Sequence, residues 1–169
     1  MKKTMMLFVM AVLGSIGSSA MAAEATVQAV KTHNSFDFTV NGRTAFGHQV
    51  YYNCDAAEDY IENLLGKMGA TNISVRCTGG IDMGQIPMDM LAIEVAFDSV
   101  RMPSAAVTGT ETAGVWKEVK LHDFGNCNLA METIKGVKDH FDLKDIKGLD
   151  RCWDANDSYR VSFSALMAN

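Results

Sequence analysis

Four cysteines, Cys54, Cys77, Cys127 and Cys152, are the residues of this 169-residue chain whose chemistry is most narrowly set by spacing. No two stand two to four residues apart. They therefore form neither a zinc motif nor the C-x-x-C pair of a thiol oxidoreductase. An even count suits disulfides, provided the chain matures in an oxidising compartment. Three pairings are open on the count alone.

Histidine and methionine are the other candidates for chemistry. His48 and His122 both precede an Asn-Cys step, by six residues to Cys54 and five to Cys127, and together they would bind a metal across a two-fold axis. The one-residue difference reverses the side-chain face on a strand, so no metal site is expected; His48 and His122 are the residues that would serve if one existed. Met83, Met88 and Met90 lie between Thr78 and Met90, a stretch that also holds Gly79, Gly80, Gly84 and Pro87. Thioethers select Cu(I), which makes a copper-binding protein one reading. With Ile81 and Ile86 among them, the methionines read better as flexible fillers of an apolar flap.

The rest of the chain carries no catalytic motif. Asp150, Asp154, Asn156 and Asp157 lack the glycine and terminal glutamate of a calcium loop, and suit an exposed turn instead. There is no nucleophile elbow and no glycine-rich phosphate loop. No catalytic residue and no cofactor is expected. An enzyme assembled from scattered His, Ser and Asp side chains is a further alternative with nothing in the sequence to locate it.

The N-terminus reads as an address. Lys2 and Lys3 precede the apolar run Met5 to Leu13, small residues follow, and Ala20-Met21-Ala22 is an A-x-A cleavage site. Residues 1–22 are thus expected to be a signal peptide, and 23–169 an exported domain in the periplasm or outside the cell. The apolar run is too short to span a bilayer, so no membrane insertion is expected after cleavage. Loss of the two lysines leaves 13 basic against 20 acidic residues, a net charge of −7. That balance, without any basic cluster, excludes nucleic acid as a partner.

An internal repeat chooses among the cysteine pairings. At an offset of 73, Asn53-Cys54 falls on Asn126-Cys127, Ala57 on Ala130, Ile61 on Ile134, Leu64 on Val137 and Ile73 on Ile146. A two-residue insertion then brings Arg76-Cys77 onto Arg151-Cys152. Unit one spans about 34–100 and unit two about 113–169. In unit one, Ala57, Tyr60, Ile61, Leu64, Leu65 and Met68 predict an amphipathic helix, with Asp55 and Glu58 as a capping box and Gly69 as its end. In unit two, Ala130, Ile134, Val137 and Phe141 make the stripe, with Asn126 or Asn128 as N-cap and Gly136 inside the helix.

Alternation predicts the strands. Phe36, Phe38 and Val40 lead to the hairpin signal Asn41-Gly42 and a return strand over 43–52. Strands at 73–77, 91–100, 115–124, 146–153 and 158–166 complete a β-α-β-β pattern made twice and preceded by one extra strand. A helix of about 14 residues and a strand of about 6 are equally long, near 20 Å, so going out along one and back along the other returns the chain to its start. This predicts Cys54–Cys77 and Cys127–Cys152.

The expected class is α+β: two helices packed on an antiparallel sheet of duplicated β-α-β-β units with two intra-unit disulfides. The expected function is a non-enzymatic periplasmic binding or interaction module whose partner is an unknown protein or small ligand. The alternating strand begins 14 positions after Cys77 but 7 after Cys152. The surplus segment, carrying Ile81, Met83, Ile86, Met88 and Met90, is the expected lip of the binding site.

Overall fold

The computed structural model describes residues 25–42, 49–81, 90–124, 127–148 and 158–169, and the backbone alone at 123, 124, 158 and 159. In chain order these form β1 (Val27–Asn41), helix α1 (Cys54–Lys67), β2 (Thr71–Gly79), β3 (Met90–Arg101), β4 (Thr110–Phe124), helix α2 (Cys127–Val137) with a 3-10 turn (Lys138–His140), β5 (Leu143–Lys147) and β6 (Ser158–Ala168). The class is α+β, as the alternation and the two helical stripes require.

All six strands lie in one antiparallel sheet in the order β2-β3-β1-β4-β6-β5. The order is palindromic: each half runs strand, helix, strand, strand, and the two first strands meet at the centre. That meeting is narrow. β1 and β4 pair only over Val27–Lys31 and Thr110–Gly114, whereas β1 follows β3 from Val30 to Asn41 and β4 follows β6 from Gly114 to Phe124. The sheet is thus two three-stranded wings joined by a short seam.

Side-chain parity decides what each face carries. Phe36, Phe38, Val40, Leu91, Ile93, Val95 and Phe97 of one wing, and Val119, Leu121, Val161 and Phe163 of the other, share one core with both helices. The alternate positions Lys31, His33, Ser35, Asp37 and Thr39 are exposed on the open face. At the seam that open face is apolar, where Ala29, Val100 and Leu166 are buried beneath Val27 and Trp116.

The helices bury the stripes read from the sequence. Ala57 and Ala130, Ile61 and Ile134, and Leu64 and Val137 are all at most 3% exposed. Each isoleucine contributes about 1.5–3 kcal/mol by leaving water. Ile73 and Ile146 do not behave alike: Ile73 packs against the core, whereas Ile146 is exposed. Gly69, at φ 94°, ends α1: its N–H donates to Gly66 O and that of Ala70 to Leu65 O, closing the helix with a left-handed residue. Gly136 lets α2 lie close on β1, since a Cβ there would stand 2.9 Å from the Phe38 ring.

Three local expectations are corrected. The N-cap of α1 is Asn53, whose side chain accepts from Ala56 N at 3.1 Å, because Cys54 is already helical; Asp55 lies inside the first turn. Glu58 does not close a capping box but accepts the backbone N–H of Cys77 at 2.7 Å. Asn128 is likewise inside its helix and donates to Asn41 O at 2.7 Å. Asn126, most of the expected return strand, the turn at 154–157 and its acidic cluster lie outside the described residues.

Cys54 and Cys77 are bridged, with their Cα atoms 5.3 Å apart. The out-and-back geometry of α1 and β2 brings them together, and the Glu58 bond to Cys77 N sits beside the bridge. Cys127 is fully buried as the first residue of α2. Cys152 lies outside the described residues.

Candidate functional site

One end of the first wing gathers chain from five elements. It holds the end of β1, the segment entering α1, the end of β2, the start of β3 and the start of α2. Ile81 N donates to Tyr52 O at 2.8 Å, and Asn53 forms a parallel bridge with Ile81. Gly80 N donates to Met90 O at 3.3 Å. Gly80, at φ 69°, permits this crossing, because a Cβ there would come within 2.2 Å of Tyr52 O.

Tyr52 ties the rim to the second helix. Its phenol is hydrogen-bonded by the Asn128 side chain and the backbone at Leu129, and burial outweighs both bonds to push its pKa above the ordinary 10.0. Asn128 also holds Asn41 O. Against this fixed polar scaffold the rim exposes apolar side chains: Tyr51 at 41%, Ile81 at 43% and Met90 at 50%. Only Met102 and Ile146 are comparably exposed among the other large apolar residues described. Single exposed apolar side chains scattered over a surface are ordinary; these three share one end of the fold.

Of the expected lip, Ile81 and Met90 are on this rim, and Met83, Ile86 and Met88 lie outside the described residues. His122 is exposed on β4 opposite Arg160, and His48 is outside the described residues. Among the described residues no three His, Cys, Asp or Glu side chains are grouped to hold a metal. No described helix is long and apolar enough to cross a membrane.

A second constellation, which the sequence reading missed, lies on the open face between β1 and β3. His33 Nδ1 is 2.9 Å from Asp98 Oδ1, while Lys31 Nζ at 3.1 Å and Asn72 Nδ2 at 2.7 Å hold Oδ2. The His33 bond and then the Asn72 bond hold the Asp98 carboxyl down to about 2, with Lys31 adding to them. A surface cleft of about 550 Å³ adjoins the cluster, lined also by Thr108, Gly109 and Thr110. The Asp98 carboxylate holds the imidazole through Nδ1 and sets its orientation. The signal was in the register: 33 pairs with 98 only once β1 and β3 are known to be neighbours.

Directly behind it, on the core side, His140 stacks on Phe36 with centroids 4.0 Å apart. Its Nδ1 is 3.1 Å from Asn34 Oδ1, and Asn34 Nδ2 donates to Ser99 Oγ at 3.0 Å. Burial, then the charge of Arg101, lowers the His140 pKa from the ordinary 6.5. This network joins the end of α2 to the sheet.

Fold and rim together define a disulfide-stapled α+β protein, two helices on one palindromic sheet, with an apolar rim at the stapled end. No protein-family model matches the chain, and no curated protein or solved structure matches it.

Proposed function

We propose that the chain is a non-enzymatic exported binding module and that the Tyr51, Ile81 and Met90 rim is its docking surface. The observation that carries this reading is the convergence of three exposed apolar side chains at one end, on backbone fixed by Asn53, Gly80 and Tyr52. The asymmetry between the halves supports it. β1 and β4 are both 15 residues long, yet 12 residues separate β1 from α1 and 2 separate β4 from α2. From Thr71 to its partner Asp98 is 27 positions, and from Lys144 to its partner Ser164 is 20. Both surpluses fall in the first half, between elements whose described ends, Tyr52, Ile81 and Met90, border the rim.

Photo-cross-linking in the producing cell tests the reading. A photoreactive residue at Ile81 or Met90 should yield a discrete adduct, and one at Glu118 on the open face should not. Adducts from Glu118 alone would move the docking surface to the open sheet and overturn the assignment.

The same proposal takes residues 1–22 as an export signal, the mature chain as periplasmic or secreted, and the two halves as products of a duplication. It pairs Cys127 with Cys152. Common offsets support the duplication: α1 and α2 begin 73 residues apart, and so do the register slips of β2 and β5. Peptide mapping of non-reduced material decides the pairing, and a bridge between the halves would sink it.

The His33 and Asp98 pair favours a second reading, an enzyme with His33 as its base. The cleft beside it supplies hydroxyls from Thr108 and Thr110 but no identified oxyanion donors. Loss of a measurable hydrolytic activity in His33→Gln, with the fold unchanged, would establish this reading over the first.

A further inference from the structure

We infer that the rim takes a cationic, apolar segment of another protein, an inference that rests on the docking-surface reading above. The apolar part of the surface is Tyr51, Ile81 and Met90. What selects the partner is the charge beside it.

Helix α1 leaves the rim at Cys54 and carries Asp55, Asp59 and Glu62, all exposed, at the i, i+4 and i+7 spacing that lines one face. None of the three has an ion-pair partner among the described residues. The one basic residue of α1, Lys67, stands at its far end. On α2, Glu132 is already neutralised by Lys135 at 3.0 Å, and on the core side of the rim Tyr52 and Asn128 are neutral. Among the described residues, the charge that α1 carries away from the rim is therefore negative.

Three kinds of occupant fit an apolar surface, and charge separates them. A second copy brings the same excess, since the full chain carries −5, and would set carboxylates against carboxylates. An anionic bilayer is repelled for the same reason. A protein segment with lysine or arginine next to its apolar residues gains on both counts: it buries Ile81, Met90 and Tyr51, and it neutralises Asp55, Asp59 and Glu62.

The test uses the oxidised mature chain and two labelled amphipathic peptides of equal length, one of lysine and leucine, one of glutamate and leucine. Binding is read by fluorescence anisotropy at low and high salt. The lysine peptide should bind saturably and the glutamate peptide should not. Ile81→Ser with Met90→Ser should weaken the lysine peptide about tenfold. Asp59→Asn with Glu62→Gln should weaken it several-fold, and should remove most of its salt dependence. All four positions are exposed or half-exposed, and unchanged unfolding midpoints verify that the variants fold.

The outcomes separate the two claims. If both peptides bind equally and the Ile81 and Met90 pair weakens both, the rim docks partners but the charge inference is wrong. If neither pair of substitutions changes lysine-peptide binding, both claims fail. If sedimentation shows a dimer that the Ile81 and Met90 substitutions dissociate, the occupant is a second copy. If the protein binds vesicles of phosphatidylcholine and phosphatidylglycerol but not the lysine peptide, the occupant is a membrane; either result overturns the inference.

Discussion

Asn72 and Asp145 stand 73 residues apart and hold the same left-handed backbone, φ 52° and 54°, each inside the register slip of an outermost strand. Bulges at sheet edges twist an unpaired ladder away from other chains. A β-branched side chain tolerates this conformation poorly, so Asn72→Val and Asp145→Val should each cost about 1–2 kcal/mol in urea unfolding. Asn72→Val should cost more, because Asn72 Nδ2 also holds Asp98. Asp145→Gly should be neutral or stabilising.

Gly136→Ala tests the approach of α2 to β1. Helix propensity alone favours alanine by about 1 kcal/mol. The Cβ would meet the Phe38 ring at 2.9 Å, and overpacking of this kind costs about 1–3 kcal/mol. Net destabilisation is expected, with partial rescue by Phe38→Leu. A net gain in the unfolding midpoint would mean that the contact relaxes freely.

Cys54→Ser with Cys77→Ser should lower stability by about 3 kcal/mol against the oxidised wild type, in line with the 23-residue separation that the bridge closes. Glu58→Ala should cost about 1–3 kcal/mol by leaving the Cys77 N–H without its carboxylate. Because bond and bridge pin the same strand, the combined loss should fall short of the sum.

Asp98 sets an acid limb. Its folded value near 2 lies below its ordinary 3.8, so its stabilisation is present above about pH 4 and is lost as pH falls towards 2. Comparing wild type with Asp98→Asn by denaturant unfolding across that window should show the two curves converging at low pH. A constant gap would show that the carboxylate's charge is irrelevant to stability.

His140 acts higher on the scale. Its folded pKa is lowered from 6.5, so the unfolded chain binds more protons below that value and stability should decline as pH falls through it. His140→Gln should flatten this limb. Persistence of the slope in the variant would assign it to another group.

Much of this was legible in local pattern. The stripes of α1 and α2, the strands from Leu91, Val115 and Ser158, the stop at Gly69 and the Cys54–Cys77 bridge all follow from period and length. Asp55 has the chemistry of a cap, but Cys54 is already helical and capping falls to Asn53. What pattern could not give is adjacency. His33 beside Asp98, His140 on Phe36, and Tyr52 under Asn128 join residues 65, 104 and 76 positions apart, and depend on strand order and helix placement. Of the three exposed residues of the rim, Ile81 and Met90 lie in the segment that composition singles out; Tyr51 does not, because a lone tyrosine before a helix gives no signal.

The palindromic strand order also governs how the chain reaches its fold. In each wing the first strand does not pair with the strand that follows it but with the third: Val30 meets Arg101 and Gly114 meets Ala168. The entropy of closing such long loops is lost before the ladders compensate it, and topologies dominated by distant contacts fold in about milliseconds to seconds rather than microseconds. β1, with Phe36, Phe38 and Val40 on one side, must therefore wait as an unsatisfied ribbon while α1, β2 and β3 assemble. Capture of that ribbon is the step at which a nascent or refolding chain is most open to pairing with the wrong neighbour.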